Sequence, residues 1–511
     1  MEKLNKTVST LIILMFLLAL IPAAALAQAP DDVVCEADVV VQANDWLSKL
    51  ADKFYGDITA YQAIADATNA KAKSDDSYAT IENVDIIEPG WKLCIPGAET
   101  AGVLIEAAQA KTPTAEQPFA GTELTLATMT DQYVTGFRYL IPKFEEETGI
   151  KIVLDELGYV DLYQKLTADF VGHTANYDLM TVDIVWSGEY AANKYTLPLD
   201  DFMARDEAEL QLDDIMPVAW TLGEWEGKHW AYPLAGYANV LNYRKDLLAE
   251  AGLEPPKTQQ ELLAYAKQLT DADNDFYGIA LLGAKGPAVA QDYMAWVQQH
   301  GGTILGADGK PALNSAQNVE ILEFFGELFK YAPPGATDYW WDQRETAFRS
   351  GNVAMMEGWS IARAGYEDPE ISSVVGNVAI AKAPVTEGMD PKYGFGGWGI
   401  GVNADSENAE AAWEFIKWLS SPEIQKEWIR HDGAPIRRST LENPELNKEF
   451  PWFPILLESF EKGDGDYRPR IPQYSIIQDA LGTAVNGYLV GEMSAQEALD
   501  QAQAQVEANM Q

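Results

Sequence analysis

The fold is decided by residues 121–153, which read GTELTLATMTDQYVTGFRYLIPKFEEETGIKIV. Residues 124–127 predict a strand, the apolar spacing from 137 to 148 predicts a helix, and residues 150–153 predict the next strand. The alternation continues with one more helix and two strands, over residues 163–170, 177–179 and 182–185. Strands that alternate with helices are typical of an α/β fold, in which a mostly parallel sheet is covered by helices on both faces.

Two short segments directly follow predicted strands and are candidates for ligand contact. In open α/β sheets, ligands bind beyond the carboxyl ends of the strands. Residues 128–132 and residues 186–190 occupy such positions. We therefore expect both segments at the edge of a cleft.

The composition limits the classes of partner. The chain has 511 residues, 47% of them hydrophobic, and carries 78 Asp and Glu against 36 Lys and Arg, a net charge of -42. This length and apolar content predict two to four folded domains and exclude disorder as the main state. The acidity argues against nucleic acid and anionic membranes as partners. It is typical of the solvated surface of a secreted protein, with a halotolerant habitat as the alternative.

The first 27 residues have the pattern of a secretory signal peptide. Lys3 and Lys6 precede an apolar run over residues 11–21, and Ala25 and Ala27 form a small-x-small cleavage site. No other stretch approaches the roughly 18 apolar residues of a membrane helix. We expect an exported protein, located in the periplasm or at the surface of the cell envelope.

The two cysteines are expected to pair. Cys35 and Cys94 are the only cysteines, and two cysteines in an oxidising compartment normally form a disulfide. Lipidation of Cys35 is disfavoured because Val34 stands where a small residue is required. Closing a loop of this size would stabilise the fold by about 4 kcal/mol in the chain-entropy model.

Residues 34–97 form a small module. The order of predicted elements is strand, helix, helix, strand, and the quoted residues are Val39-x-x-x-x-Asn44-Asp45-Trp46-Leu47-x-x-Leu50-Ala51-x-x-Phe54-Tyr55-Gly56-Asp57 and Pro89-Gly90-Trp91-x-Leu93-Cys94-Ile95-Pro96. This pattern resembles a LysM module, a family that binds N-acetylglucosamine glycans such as peptidoglycan or chitin. The resemblance implies a glycan groove lined by Asn44, Asp45, Trp46, Asn69 and Ile87. The alternative is a disulfide-stapled spacer that has lost glycan binding.

A linker and a large domain follow. Residues 98–119 are rich in Ala, Thr, Glu and Pro and predict a linker. Residues 120–511 then contain, in order, Phe144-Glu145-x-x-Thr148-Gly149-Ile150-Lys151-Ile152, Tyr177-Asp178, Asp183-x-x-Trp186, Leu197-Pro198-Leu199-Asp200-Asp201-Phe202, Gly227-Lys228-x-x-Ala231-Tyr232-Pro233, Leu241-Asn242-Tyr243-Arg244-Lys245-Asp246-Leu247, Ala347-Phe348-x-x-Gly351-x-x-Ala354-Met355, Gly358-Trp359 and Gly396-Gly397-Trp398-Gly399. This ordered set resembles the family 1 extracellular solute-binding proteins, the group that includes maltose-binding protein.

The resemblance implies a two-lobed clamp of the type II periplasmic-binding-protein class. Such proteins capture a solute, commonly an oligosaccharide, and deliver it to the permease subunits of an ATP-driven (ABC) importer. Lobe one would hold residues 121–235 and 400–436, and lobe two residues 236–399 and 437–511. The hinge crossings would lie near residues 232–236 and 395–401, where small residues absorb the backbone change on closure.

A sugar presents apolar C–H faces and a rim of hydroxyls, so its site needs aromatic platforms and a few fixed polar groups. The candidate platforms at motif positions are Trp186, Tyr237, Trp340, Trp359 and Trp398. The candidate hydroxyl partners are Asp131, Glu189, Asn239 and Arg437. Any of these aromatics could instead belong to the core, and any of the polar groups to the solvated surface.

Neither a metal nor a cofactor is expected. The histidines His173, His229, His300 and His431 are isolated, and no zinc-binding or phosphate-loop spacing occurs. Gly394-x-Gly396-x-x-Gly399 matches a dinucleotide fingerprint by letter, but an extended segment follows where a helix should begin.

The function predicted from the sequence is therefore capture of a carbohydrate for an ABC importer, with attachment to cell-wall glycan through the LysM-like module. We expect no enzymatic activity. The alternatives are a LysM-targeted hydrolase of cell-wall glycan, since two carboxylates about 5 to 10 Å apart suffice for glycosidase chemistry, a binding protein for a solute other than sugar, and an adhesin or surface-layer protein.

Overall fold

The computed structural model describes residues 33–42, 45–81, 84, 86–98, 100–102, 104 and 117–510. Three predictions fall wholly or partly outside these ranges: the signal peptide over residues 1–27, the glycan-groove residue Asn44, and most of the linker. The chain divides into two compact units, residues 1–116 and 117–511. None of the helices in the described part of the chain has the length and apolar character needed to cross a bilayer.

The small unit has the predicted order of elements. Its strands and longer helices are β1 (Cys35–Val40), the helix Leu47–Tyr55, the helix Tyr61–Ala72 and β2 (Lys92–Pro96). The two strands pair antiparallel, with Cys35 opposite Pro96. The first helix ends at Gly56, whose φ of 66° is a left-handed conformation that glycine adopts without steric cost.

The core of the small unit is apolar and covalently closed. Leu47 and Leu50 of the first helix pack with Ile64 of the second helix and Leu93 of β2, all of them buried. The antiparallel pairing brings the end of β2 to the start of β1, and Cys35 and Cys94 form a disulfide.

The large unit contains the remaining strands: β3 (Glu123–Met129), β4 (Lys151–Leu157), β5 (Leu179–Asp183), β6 (Glu224–Trp225), β7 (Lys228–His229), β8 (Tyr232–Arg244), β9 (Tyr277–Ala280), β10 (Val353–Trp359), β11 (Val378–Lys382), β12 (Tyr393–Val402) and β13 (Gly463–Asp464). Its longer helices are Val134–Thr148, Tyr159–Gly172, Gln259–Leu269, Pro287–Gln299, Ala316–Leu328, Trp341–Arg349, Ala409–Ser420, Pro422–Arg430, Phe453–Glu461, Tyr474–Leu489 and Ala495–Asn509. Shorter helices are Ser187–Asn193, Asp200–Arg205, Glu207–Leu210, Lys245–Glu250, Arg438–Leu441 and Leu446–Glu449.

The main sheet has the strand order β4-β3-β5-β12-β8-β10-β9, with β11 paired to β8 and β13 paired to β12. The pairs β3–β4 and β3–β5 are parallel, as the alternation of strands and helices predicts. However, β12 runs antiparallel to both β5 and β8, and β8 runs antiparallel to β10 and β11. The pair β10–β9 at the other end of the sheet is parallel as well. The prediction of a mostly parallel sheet therefore holds at both ends and fails in the middle, because β12 enters the sheet late in the chain and in the opposite direction.

Two long strands, β12 and β8, lie in the middle of the main sheet. They connect two halves of this unit, one built on β3, β4 and β5 and the other on β9 and β10. Strand β8 pairs with β12 through residues 232–238 and with β10 through residues 239–243. Strand β12 also pairs with β5, through residues 398–402. Gly397 lies in β12 with a φ of 128°, and a Cβ there would stand 2.0 Å from the carbonyl oxygen of Ala235. Glycine is therefore required where the two long strands approach each other most closely.

The helix Val134–Thr148 illustrates how the sequence builds this fold. Phe137, Leu140, Ile141 and Phe144 fall at the spacing of one helical face, and all four are buried. The helix ends at Gly149, which has a φ of 72°. The buried face packs against the helix Pro422–Arg430, so helices that are far apart in the chain cover the same end of the sheet.

Candidate ligand-binding cleft

A cavity of about 670 Å³ lies between the two halves of the large unit. Its aromatic lining consists of Tyr159, Tyr237, Trp340, Trp341, Trp359 and Trp398. Its main polar lining consists of Asp131, Gln132, Asp183, Gln291, Glu345 and Arg468. This volume is within the range of small-molecule binding pockets, about 300 to 1,000 Å³.

The ends of several strands deliver these side chains to one place. Asp131 and Gln132 follow β3, and Asp183 is the last residue of β5, so the cavity lies at the carboxyl ends of parallel strands as expected. Trp359 ends β10 on the other half of the unit. Tyr237 lies within β8, one of the two strands that both halves share.

Two further cavities, of about 660 and 510 Å³, occur in the described part of the large unit. The lining of the 660 Å³ cavity includes residues 301–305 and exposed charged residues such as Lys392. The second lies beside residues 448–453. Neither collects aromatic faces and buried charges at strand ends, so the 670 Å³ cavity is the candidate site.

Five of the nine residues predicted for the ligand site line this cavity: Asp131, Tyr237, Trp340, Trp359 and Trp398. The hydroxyl of Tyr237 donates to Oδ2 of Asp131 at 3.0 Å, so two of these residues are joined directly. The ring of Tyr237 lies 6.2 Å from that of Trp359. Local motif positions therefore located much of the aromatic wall.

Trp186 and Glu189 do not line the cavity. The ring of Trp186 packs behind the wall, 5.6 Å from Trp398 and 5.1 Å from Tyr159, and its side chain is almost fully buried. Glu189 accepts hydrogen bonds from the hydroxyl of Tyr163 at 2.8 and 2.9 Å. Both residues follow β5, but the turn after the strand directs them into the packing of one half.

Asn239 and Arg437 are also outside the cavity lining. Asn239 lies opposite Trp359 in the β8–β10 pairing and is buried within the sheet. Arg437 is completely buried, and its guanidinium donates to the carbonyl oxygens of Leu210, Gln211 and Ser420. Nη1 of Arg437 also lies 3.4 Å from Oδ2 of Asp214, so the guanidinium is occupied by backbone carbonyls and one carboxylate away from the cavity.

A polar network forms one side of the cavity. The hydroxyl of Tyr159 donates to Oδ2 of Asp183 at 2.8 Å, and Nε2 of Gln291 donates to that hydroxyl at 3.1 Å. Nη1 of Arg468 donates to Oε1 of Gln291 at 2.6 Å and lies 4.0 Å from Asp183. Burial raises the pKa of Asp183, and the nearby Arg468 offsets part of this rise. The network holds four side chains from distant parts of the chain in fixed orientations.

Arg468 is also held by aromatic contacts. Its guanidinium lies 5.2 Å from the ring of Trp359 and 5.3 Å from that of Tyr467. Nε and Nη2 have no hydrogen-bond partner within the described residues. A Cβ on Gly396 would stand 2.2 Å from Nη2, so the glycine leaves the space that the guanidinium occupies.

Two further carboxyl groups in the cavity lining, those of Asp131 and Glu345, are bridged by Gln132. The backbone N–H of Gln132 donates to Oδ1 of Asp131 at 2.7 Å, and its side-chain Nε2 donates to Oε2 of Glu345 at 3.2 Å. Burial raises the pKa of Asp131. Burial raises the pKa of Glu345 to about 7, with Arg344 opposing the rise and Asp131 adding to it.

The helix Trp341–Arg349, which carries Glu345, is anchored from beneath. Nη1 of Arg344 donates to both carboxylate oxygens of Asp292 at 3.0 Å, and Arg344 is fully buried. Asp292 stands next to Gln291 on the helix Pro287–Gln299, so both helices that reach the cavity are tied together. An ion pair of this kind fixes geometry more reliably than it adds stability.

Sequence reasoning missed Tyr159, Asp183, Gln291, Trp341, Glu345 and Arg468. Asp183 could have been found, because it is a polar residue at the end of a predicted strand. Trp341 directly follows the predicted Trp340. Gln291, Glu345 and Arg468 carry no local signal, since only the packing of distant helices and of the segment 463–471 brings them to the cleft.

The charges of the lining favour some ligands over others. Arg468 is the single basic residue among the described residues that line the cavity, against Asp131, Asp161, Asp183, Asp342 and Glu345. Across the described ranges, no three His, Cys, Asp or Glu side chains are grouped in a way that could hold a metal ion. The side chains present can donate to and accept from hydroxyls and can cover apolar faces.

In the small unit, the residues predicted to line a glycan groove expose few side-chain groups. Trp46 is 43% exposed, with Nζ of Lys49 at 5.0 Å from its ring. Both polar atoms of the Asn69 side chain are engaged by the backbone of Ile81. Asp45 accepts from the backbone N–H of Gln42, and Ile87 packs against the core of the unit. Of the predicted glycan-groove residues in the described ranges, Trp46 presents the largest open face.

The fold and the cleft together define a two-lobed α/β binding protein. Residues 130–426 match the family model of bacterial extracellular solute-binding proteins, and the chain belongs to that family. A solved ABC-transporter solute-binding protein from Agrobacterium radiobacter K84, in complex with ribitol, is 48% identical. It superposes with a TM-score of 0.74, and the match covers 76% of this chain and 99% of that chain.

Two relatives known from sequence are more distant. The mannitol-binding protein of Pseudomonas aeruginosa is 27% identical over 413 residues, which cover 74% of this chain and 91% of that protein. A probable amino-acid ABC transporter periplasmic-binding protein of Sinorhizobium fredii is 27% identical over 375 residues, which cover 72% of this chain and 84% of that protein. These relatives are named as binding proteins, and the ligands in their names differ.

Proposed function

We propose that this protein captures a polyhydroxylated solute, a sugar or sugar alcohol, in the cleft and delivers it to the permease subunits of an ABC importer. The observation that carries the proposal is the cavity itself, which combines aromatic faces with buried groups that both donate and accept. Trp359 and Trp398 can cover the C–H faces of such a ligand, and Asp131 and Asp183 can accept from its hydroxyls.

The relatives support an alditol or a single sugar before the oligosaccharide that the sequence suggests. The relative with 48% identity was solved with ribitol, and a second relative is a mannitol-binding protein. An open-chain alditol carries a hydroxyl on every carbon, which suits a cavity lined by several polar groups that donate and accept. An oligosaccharide would need further platforms along an open groove.

An amino acid is the second candidate, because one relative carries that description. Its carboxylate would require a basic partner in the cleft. Arg468 could serve, but it already donates to Gln291 and lies near Asp183. The surplus of acids in the lining favours an uncharged ligand over one that brings a carboxylate.

Calorimetric titration with ribitol, mannitol, glucose, maltose, maltotriose and a set of amino acids tests the proposal. We expect saturable binding of at least one alditol or sugar, and a Trp359→Ala variant about tenfold weaker or more, since it loses a buried aromatic face. Trp452→Ala is the matched control, because Trp452 is outside this cavity. Binding of amino acids alone, with no response to any sugar or alditol, would refute the assignment.

We also propose that no bond is made or broken in the cleft. The family and the named relatives support this, since they are binding proteins of transporters. The competing idea is a hydrolase of cell-wall glycan. Release of reducing ends from purified cell walls by the full chain would favour the hydrolase.

The two lobes are proposed to close about β8 and β12. Lobe one would comprise residues 121–235 and 400–436, and lobe two residues 236–399 and 437–511. The pairing of both long strands across the middle of the sheet supports crossings in these strands. A ligand-dependent decrease in the radius of gyration, measured by small-angle X-ray scattering, is expected. An unchanged radius at saturating ligand argues against the hinge.

We propose that the small unit is a LysM module that attaches the exported protein to glycan of the cell envelope. The support is its order of strand, helix, helix and strand, and the open face of Trp46. The mature chain is expected to sediment with insoluble peptidoglycan, and a chain without residues 34–97 to stay in solution. Trp46→Ala should weaken sedimentation. Equal behaviour of the mature and shortened chains would show that the unit is only a spacer.

A further inference from the structure

We propose that Asp131 and Glu345 form a carboxylate clasp that selects ligands offering O–H groups and excludes the corresponding sugar acids. The clasp is defined here as Asp131, Glu345 and the bridging residue Gln132. This inference rests on the proposed function, because it names which members of the polyhydroxylated class the cleft accepts. It assigns a specificity-determining role to Glu345, which no sequence pattern indicated.

The two carboxyl groups come from different halves of the large unit. Asp131 lies just beyond β3, whereas Glu345 lies on the helix Trp341–Arg349, which packs against β9 and β10. Gln132 connects them, through its backbone N–H to Asp131 and its side-chain amide to Glu345. The clasp therefore joins the two halves across the cavity.

The bases near the clasp are only partly engaged elsewhere. Arg344 directs Nη1 to Asp292, and Arg349 directs Nη2 to the hydroxyl of Thr346, but Nε and Nη2 of Arg344 and Nε of Arg349 have no hydrogen-bond partner among the described residues. Arg468 donates to Gln291. The contact between the two acidic residues therefore runs through the neutral Gln132, while Arg344 and Arg349 oppose the rise in the pKa of Glu345.

A hydroxylated ligand can donate hydrogen bonds to the carboxylates of Asp131 and Glu345, whereas a ligand carboxylate cannot. Each ligand O–H can donate to a carboxylate, and adjacent hydroxyls can satisfy Asp131 and Glu345 at the same time. A ligand carboxylate in the same place would add a third acceptor with no proton to donate, and like charges side by side are strongly unfavourable in a desolvated site. The clasp thus discriminates between an alditol and its aldonate, which have the same carbon chain.

The surroundings of Glu345 define the pH at which this selection operates. The charged and titratable groups that face it are Asp131, Arg344, Arg349 and Tyr366. Because burial raises the pKa of Glu345 to about 7, its carboxyl is largely ionised at pH 8 and largely protonated at pH 6. A protonated Glu345 can donate to a ligand carboxylate, so the exclusion of acids should weaken at the lower pH.

The test compares ribitol with ribonate, and mannitol with mannonate, by calorimetric titration of the full mature chain. At pH 8 the wild type should bind the preferred alditol at least about 30-fold more tightly than its aldonate. Glu345→Gln should reduce this ratio to below about fivefold, since the amide can donate to the aldonate. Asp338→Asn is the control, because it removes one exposed acid of the same neighbourhood that does not line the cavity.

The pH profile gives a second readout that a general loss of packing would not produce. The ratio for the wild type should fall by about fivefold or more between pH 8 and pH 6, and the ratio for Glu345→Gln should stay constant. Equal affinity of the wild type for alditol and aldonate at pH 8 overturns the clasp while leaving the proposed function intact. An unchanged ratio in Glu345→Gln does the same. Failure of every alditol and sugar to bind overturns the proposed function, and the clasp with it.

Discussion

The glycine at position 396 gives the sharpest link between the sequence and the cleft. Gly396 lies in β12, and a Cβ there would stand 2.2 Å from Nη2 of Arg468 and 2.9 Å from the Trp359 ring. Normal carbon contacts are about 3.5 to 4.0 Å. Gly396→Ala therefore forces the guanidinium, the indole or both to move away from β12.

The magnitude follows from the contact that Arg468 would lose. Retreat of the guanidinium would remove Nη2, which has no hydrogen-bond partner in the described part of the chain, as a donor to a bound ligand, and hydrogen bonds to charged groups contribute about 1.5 to 3 kcal/mol. At about 1.4 kcal/mol for each factor of ten, ligand affinity should fall by about 10- to 100-fold. Overpacking should lower the free energy of unfolding by about 1 to 3 kcal/mol.

Calorimetry with the tightest ligand and urea unfolding measure the two effects. Gly401→Ala is the matched control, because it is in the same strand and its Cβ would meet Thr196 at 3.0 Å, away from the cavity. The control should lose stability by a similar amount but keep its affinity within about twofold. If folded Gly396→Ala binds as tightly as the wild type, Arg468 and Trp359 do not form the binding surface described here.

Three further outcomes are expected. Replacing Cys35 and Cys94 by Ser should lower the free energy of unfolding of the small unit by about 4 kcal/mol, because the disulfide joins residues 59 apart. The urea transition of the large unit should not change. A loss below about 1 kcal/mol in the small unit would contradict the chain-entropy estimate. Burial raises the pKa of Glu345 from 4.5 to about 7, so the folded state retains a proton that the unfolded chain releases. The contribution of this carboxyl to the free energy of unfolding should therefore be greatest below pH 4.5 and decline by up to about 3 kcal/mol as the pH rises to 7. Urea unfolding at pH 5 and pH 8 should show a flatter pH profile for Glu345→Gln than for the wild type, and identical profiles would count against the burial of this carboxyl. Arg437→Met should lower the free energy of unfolding of the large unit by about 3 kcal/mol or more, because buried carbonyls lose their donor. Calorimetry should find the ligand affinity of the folded fraction unchanged. Weakened binding without destabilisation would indicate that Arg437 contacts the ligand.

Local patterns identified elements whose causes are local. Phe137, Leu140 and Phe144 mark one face of a helix, and Gly149 ends it, because spacing and a left-handed terminal residue depend only on neighbours in the chain. The order of elements in the small unit was predictable for the same reason. The pairing of Cys35 with Cys94 was predictable because the chain has only these two cysteines.

The mixed strand direction and the position of some predicted site residues outside the cavity have a common cause. The direction of β12 in the sheet depends on where the chain returns after the second half is built, and no local pattern encodes that return. Arg437 and Asn239 have the residue types of a sugar site, but their surroundings use their polar atoms for backbone and packing. Residue type indicates what a side chain can do, whereas the neighbours decide which of these interactions it makes.

The sequence by itself determined the class of the fold, the division into a small and a large unit, and the aromatic wall at Tyr237, Trp359 and Trp398. Only the tertiary structure decided that Glu345 and Arg468 reach the same cavity. The physical reason is that helical and strand periodicity arise from contacts within a few residues, whereas a binding cleft between two halves arises from packing between segments that are hundreds of residues apart.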